Sequence, residues 1–181
     1  LKSADGKGMK SWVRNLSGFF YNIIKRFAFG SFKAKEVKRI YNYHKVPNLF
    51  ETSGQPGKQQ LKLLAKRGYE VVINIAPSSL LEGAVINEAE ILSLEQVEYI
   101  HIPVDFNSPT DEDFAEFVSN VEKHKNKKLW VHCAANMRVS AFVYKYRREI
   151  LKLSHDEIIG DVQAIWNPNA VWNSFMGLRG G

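Results

Sequence analysis

The chain has one cysteine, Cys133, and its neighbours point to chemistry at the thiol. Cys133 ends a strand-like run, KLWVHC over 128–133, and a helical pattern begins a few residues later. A loop that leads into a helix offers backbone N–H groups and the positive end of the helix dipole, which together bind anions. The same dipole stabilises a thiolate. The pattern favours a nucleophilic Cys133 over the alternative, a small core residue at a strand end.

Two charged residues could complete such a site. Arg138 carries a permanent positive charge on a planar fork that suits phosphate oxygens. Asp105 follows a predicted strand over 97–104, so it should project from the same sheet edge as Cys133 and could donate a proton to a leaving oxygen. Alternatively, Asp105 is a solvated loop carboxylate without a role as proton donor. Asp111 and Asp113 are explained by a helix start at Thr110.

Two further polar residues flank the loop, and each has two interpretations. Ser140 could donate a hydrogen bond to the sulfur, cap the following helix, or do both. His132 could hold the loop through its side chain, or it could be a satisfied core histidine.

The elements that must position these residues alternate along the chain. Strands are predicted over 71–75, 97–104 and 128–133, and helices over 57–67, 87–94, from 110, over 140–153, from 154 and from Pro168. This alternation predicts an α/β fold with a mostly parallel sheet covered by helices on both faces. Residues 36–181 would form this domain. Residues 1–35 would form an N-terminal extension with an amphipathic helix over 12–29.

Composition limits the partners. The 181 residues suit one soluble domain, and the net charge of +6 suits a phosphorylated substrate. No basic block is dense enough to indicate nucleic acid, and no apolar run is long enough to span a membrane. The basic stretch 10–29 could contact a partner or an anionic membrane surface.

The compartment is not determined, with the cytoplasm slightly favoured over the membrane periphery or export, and the oligomeric state stays open. No cofactor fingerprint and no metal-ligand spacing is present.

Three segments resemble one family. VHCAANMRVS over 131–140 resembles the signature loop of the protein-tyrosine and dual-specificity phosphatases, which has His-Cys, five residues, Arg, then Ser or Thr. IHIPVDF over 100–106 resembles the segment that carries their general acid. LFETSGQPGKQQLKLLAKRGYEVVINI over 49–75 is similar to the opening of a bacterial branch of small phosphatase-like proteins.

The resemblance implies a phosphocysteine mechanism without a metal. Cys133 would be the nucleophile, Asp105 the acid and later the base, and Ser140 the hydroxyl that assists the sulfur, with His132 in support. The loop that binds phosphate would consist of Ala134, Ala135, Asn136, Met137, Arg138 and Val139.

The loop departs from the family pattern at the arginine, because only four residues separate Cys133 from Arg138. The loop could be one residue shorter, with Arg138 still the phosphate fork. Alternatively its length is kept and Val139 takes the arginine's place, which preserves the usual spacing of Cys133 and Ser140 and is the alignment we prefer. Asn136 would replace the usual mid-loop glycine, since asparagine tolerates positive φ.

Three functions follow from these patterns. The leading hypothesis is a phosphate-monoester hydrolase acting on a phosphoprotein or a small phosphorylated molecule. The displaced arginine motivates a second, a catalytically silent module that binds phosphorylated or other anionic ligands. A third is sulfur or redox chemistry at the same thiol, as in rhodanese-like domains, although Asp105 would then have no task.

Overall fold

A five-stranded sheet organises the structure, a computed structural model that describes residues 36–78 and 87–178. Its strands are β1 (His44–Lys45), β2 (Glu51–Ser53), β3 (Val71–Asn74), β4 (Glu98–His101) and β5 (Leu129–His132). They lie in the order β1-β2-β5-β3-β4. Only the β1–β2 pair is antiparallel. The predicted mostly parallel sheet is confirmed.

Helices connect the parallel strands, as crossover connections require. After a short 3₁₀ turn at Val37–Arg39 they are α1 (Lys58–Lys66), α2 (Glu88–Leu94), α3 (Asp111–Lys123), α4 (Met137–Glu149), α5 (His155–Gln163) and α6 (Ala170–Phe175). In the described ranges, no helix is long and apolar enough to cross a bilayer. The extension 1–35, with the helix predicted over 12–29, lies outside the described residues.

The two faces of the sheet bury separate hydrophobic clusters because successive strand residues point to opposite sides. Val131 and Cys133 lie in the larger cluster, which is completed by residues of α3, α4, α5 and α6. Trp130 and Val72 lie in the smaller cluster, against residues of α1 and α2. Helices therefore cover both faces, as the sequence predicts.

Local sequence signals explain several element ends. Thr110 and Asp113 form a reciprocal capping box at the start of α3, with Oγ1 of Thr110 accepting from the Asp113 N–H at 3.1 Å. At the start of α5, the N–H and the hydroxyl of Ser154 both donate to Oε2 of Glu157, at 2.7 and 2.6 Å. Gly68 follows α1 at φ +77°, a conformation that costs glycine little.

Several predicted boundaries are wrong. β4 ends at His101 and does not reach Val104, because Pro103 has no N–H to continue the ladder and the Val104 N–H bonds locally to the Ile102 carbonyl. α6 begins at Ala170 after its cap Asn169, two residues beyond Pro168. α4 begins at Met137, three residues before Ser140. This earlier start of α4 shortens the loop after Cys133.

Candidate active site

Cys133 lies at the carboxyl edge of the parallel strands, directly after β5. Its N–H bonds to the Ser53 carbonyl of β2 at 3.3 Å, so the ladder continues to the cysteine itself. The residue is only 1% exposed and packs in the larger hydrophobic cluster. The sulfur therefore has a fixed position at the edge where α/β sheets bind ligands.

The loop after Cys133 has only three residues before α4 begins at Met137. Asn136 makes the sharp turn with φ 64° and ψ 1°, the left-handed conformation anticipated for the residue in the glycine's place. Because α4 is 13 residues long and starts here, its positive end is directed at the loop.

Two carbonyl groups of this loop are held away from the site. The Ala134 oxygen accepts the Gln55 N–H at 3.1 Å, and the Ala135 oxygen accepts Nδ2 of Asn42 at 2.9 Å. In a trans peptide the C=O group and the next N–H group point in opposite directions. The N–H groups of Ala135 and Asn136 therefore point away from the 41–55 segment.

Side chains and a close backbone approach fix this arrangement. Nδ2 of Asn136 donates to the Asn42 carbonyl at 2.7 Å and to Oγ1 of Thr52 at 2.9 Å. A Cβ atom on Gly54 would lie 2.9 Å from the Ala134 oxygen, so only glycine fits beneath the loop. The loop is thus clamped by residues from the start of the domain.

Arg138 is buried beside the segment that carries Asp105. Its guanidinium carbon lies 5.1 Å from the centroid of the Phe106 ring, and the residue is 3% exposed. Phe106 packs between Trp166 and Trp172, with ring centroids 5.8 and 5.4 Å away. Nε1 of Trp172 donates to the Phe106 carbonyl at 3.0 Å. The arginine and the predicted acid segment are therefore held together.

Val139 has a packing role. Its side chain is fully buried in the larger hydrophobic cluster. This packing is a reason to propose, below, the alignment with the shorter loop and Arg138 as the phosphate fork; the preferred alignment, which puts Val139 in that place, stays a prediction. The sequence held a signal for this packing, because Val139, Phe142, Val143 and Tyr146 have the i, i+3, i+4, i+7 spacing of a helix core face.

The three acidic residues near Phe106 each have a different partner. Asp105 is exposed, and its Oδ1 accepts the Asn107 N–H at 2.7 Å, which ties the carboxylate to its own loop. Asp113 serves in the capping box, as anticipated. Asp111, in the first turn of α3, pairs with Lys145 at 2.9 Å.

Ser140 and His132 both have partners. Oγ of Ser140 donates to the Met137 carbonyl at 2.8 Å and accepts from Nε1 of Trp166 at 3.1 Å. Ser140 lies inside the first turn of α4 and is not its cap, which is Asn136. Nε2 of His132, a fully buried residue, lies 2.7 Å from Oε1 of Glu88.

Sequence reasoning missed several residues around the loop, Arg138 and the end of β5: Asn42, Gln55, Asn74, Glu88 and Phe106. Two of them had a signal in the sequence. Asn74 interrupts an otherwise apolar strand, and Glu88 shares a helix face with Ile91 and Leu92. Within the described ranges, no group of three or more His, Cys, Asp or Glu side chains could hold a metal ion.

Known proteins share this fold and this sequence pattern. A family model described as DSP-PTPase phosphatase fused to NAD+ kinase matches residues 28–166. A DUF442 protein of Shewanella putrefaciens CN-32 is 29% identical, with a TM-score of 0.68 over 80% of this chain and 95% of that one. The catalytic core of the PP-IP phosphatase Siw14 from S. cerevisiae is 14% identical, with a TM-score of 0.64 over 77% of this chain and 85% of that one. No curated protein matches the chain significantly.

The sequence match covers the Cys133 loop, α4 and the Asp105 segment. The similarity to Siw14, at 14% identity, adds agreement of the fold. The chain therefore belongs to the family of dual-specificity and protein-tyrosine phosphatase domains that act through a cysteine.

Proposed function

We propose that this protein hydrolyses phosphate monoesters through a phosphocysteine intermediate. The observation that carries the proposal is the clamped loop after Cys133, whose peptide groups at Ala135 and Asn136 turn their N–H groups away from the 41–55 segment. Together with the positive end of α4 and the charge on Arg138, they form a cradle for a phosphoryl group.

The reaction would have two displacement steps. The Cys133 thiolate attacks phosphorus and an S–P bond forms as the bond to the ester oxygen breaks, while Asp105 gives its proton to that oxygen. Water then attacks phosphorus, Asp105 takes a proton from the water, and the S–P bond breaks to release phosphate and the thiolate. Arg138 would bind two phosphoryl oxygens throughout.

The supporting residues would act on the loop and the thiol. Ser140 would reach the sulfur only if its hydroxyl left the Met137 carbonyl, so we propose that it assists as phosphocysteine breaks down. His132 would hold the end of β5 against α2. The backbone of Met137 and Val139 belongs to the first turn of α4, and its N–H groups complete the cradle.

The direct test is to trap the intermediate. Wild-type protein mixed with an aryl phosphate and quenched in acid within milliseconds should carry one phosphoryl group on Cys133, identified by mass spectrometry of the peptide. A phosphoryl group on any other residue, or steady phosphate release without an adduct under these conditions, would contradict the mechanism. A persulfide on Cys133 would instead indicate sulfur transfer.

The acid role of Asp105 predicts a dependence on the leaving group. Asp105→Asn should lower kcat for phenyl phosphate by about 10²-fold, because a poor leaving oxygen needs a proton. The loss should be much smaller for p-nitrophenyl phosphate, whose leaving group departs without one. Asp111→Asn is the matched control, since Asp111 is exposed and lies in the adjoining helix start. Equal losses for both substrates in Asp105→Asn would exclude the acid role.

A further inference from the structure

A tryptophan that follows α5 contacts the hydroxyl of Ser140. Nε1 of Trp166 donates to Oγ of Ser140 at 3.1 Å. Trp166 is half-buried and lies just beyond α5, where its backbone N–H bonds to the Val162 carbonyl at 3.0 Å. An indole N–H usually finds an acceptor when the ring is buried, so the contact alone shows only that the donor is satisfied. Its effect on Ser140 depends on how the two side chains are fixed.

The Trp166 ring is fixed by aromatic neighbours. Its centroid lies 5.8 Å from that of Phe106 and 6.1 Å from that of Trp172, in tilted and edge-to-face arrangements. Phe106 directly follows the proposed acid Asp105, and the Arg138 guanidinium lies over its ring. The direction of the indole N–H is therefore set by the same aromatic packing that holds the Asp105 segment.

The hydroxyl of Ser140 has more than one place to go, so its position needs a cause. The residue lines a cavity of about 10 Å³ together with Thr52 and Val143, a volume that accommodates about one water molecule. A serine inside a helix also commonly donates to a carbonyl of the preceding turn, as Ser140 does to Met137 at 2.8 Å. The hydrogen bond from Trp166 selects one position of Oγ among these.

The two hydrogen bonds of Ser140 have different consequences for chemistry. A hydroxyl has one proton, which here goes to the Met137 carbonyl, and lone pairs, one of which accepts the Trp166 N–H. The proton can turn about the Cβ–Oγ bond toward another acceptor while the oxygen stays bonded to the indole. A hydroxyl that accepts a hydrogen bond is also a better donor, because linked hydrogen bonds polarise one another. Trp166 therefore holds the oxygen and leaves the proton available.

We propose that Trp166 is a positioning residue that acts through Ser140 and accelerates the breakdown of phosphocysteine. The inference rests on the proposed function and deepens it. As water attacks phosphorus, the S–P bond breaks and its electron pair returns to the Cys133 sulfur, to which the Ser140 hydroxyl donates a hydrogen bond without giving up its proton. In the first displacement the sulfur loses negative charge instead, so this hydrogen bond gives no acceleration there. Trp166 therefore matters for the second step alone.

Trp166→Phe tests this role, because it keeps an aromatic ring and removes the N–H. With the full chain in excess over p-nitrophenyl phosphate, p-nitrophenol release reports the formation of phosphocysteine. The decay of phosphorylated Cys133 in acid-quenched samples reports its breakdown. We expect breakdown to slow by about fivefold, the effect of one hydrogen bond, and formation to stay within about twofold of wild type. An unchanged breakdown rate, or equal slowing of both steps, would overturn the proposal.

Trp130→Phe is the matched control, because Trp130 makes the same kind of contact on the other face of the sheet. Its Nε1 donates to Oγ of Ser53 at 3.0 Å, and that hydroxyl donates to the Gly54 carbonyl at 2.6 Å. Trp130→Phe should leave the breakdown rate within about twofold of wild type. An equal loss in both variants would show a general effect of removing an indole and would overturn the specific role of Trp166.

Two further proteins test the route through Ser140. Added to Ser140→Ala, Trp166→Phe should slow breakdown no further, because the hydroxyl that it positions is gone, and an additional loss would overturn the proposal. If Trp166→Phe fails to fold, benzothienylalanine in place of Trp166 keeps the bicyclic ring and lacks only the N–H, and the same slowing is expected. If phosphocysteine forms but its breakdown ignores the N–H, only the role of Trp166 fails. If the wild type forms none, the proposed function fails and this role fails with it.

Discussion

Cys133→Ser is expected to abolish turnover, with phosphate release from p-nitrophenyl phosphate reduced by at least about 10³-fold. The hydroxyl of serine is not ionised at neutral pH, and the positive end of α4 and Arg138 cannot make it an effective nucleophile. Because the substitution changes one buried atom at the end of β5, the loop clamp at Asn42, Gln55 and Gly54 should persist. The assay is steady-state phosphate release between about pH 5 and pH 8.

Two measurements separate lost chemistry from lost structure in Cys133→Ser. Its thermal unfolding curve should overlay that of the wild type, and it should still bind inorganic phosphate or vanadate, since the cradle consists of backbone N–H groups and Arg138. Equal rates for wild type and Cys133→Ser would rule out hydrolysis through the thiol. Phosphate or phosphopeptide binding in both, without turnover in either, would instead identify a silent binding module.

Arg138→Lys is the second change with a large expected effect, a loss of about 10²- to 10³-fold in kcat/KM. Lysine keeps the charge but lacks the planar fork that binds two phosphoryl oxygens, and it cannot stack on Phe106 as a guanidinium does. Part of the loss should therefore arise because the Asp105 segment is less firmly held. The measurement is kcat and KM for an aryl phosphate.

Arg148→Lys provides the comparison for Arg138→Lys, because Arg148 is an exposed arginine on the same helix. The same chemical change there should leave kcat/KM within about twofold, as for most surface substitutions. If Arg138→Lys behaved like Arg148→Lys, Arg138 would not be the phosphate fork, and the atypical spacing from Cys133 would signal a site without phosphoryl-transfer activity.

The sequence predicted the parts of the molecule that depend on local chemistry. The helix starts at Thr110 and Ser154 and the positive φ of Asn136 each follow from one or two neighbouring residues. The fold class followed from the alternation of apolar strands with amphipathic helices. The short spacing between Cys133 and Arg138 was visible in the sequence, whereas the packing of Val139 in the core became clear only in the structure.

Other parts depend on residues that are far apart in the chain. The pairing of Glu88 with His132 requires α2 to pack against the end of β5, and no local pattern specifies that packing. The contact of Arg138 with Phe106 likewise exists only because the two tryptophans at 166 and 172 hold the ring. Sequence reasoning names the reacting groups more readily than the residues that hold them in place.

The clamp beneath the loop also bears on how the protein folds. Asn42 donates to the Ala135 carbonyl across 93 residues of sequence and accepts from Nδ2 of Asn136 across 94, and Gly54 meets Ala134 across a comparable span. Contacts between such distant residues close large loops of the chain. Loop closure is slow because it costs conformational entropy, which the contacts offset only once both ends are ordered. The anion cradle should therefore be a late product of folding, completed when β2 docks against β5. Partly folded chains would hold an ordinary cysteine thiol without the donors that make it reactive.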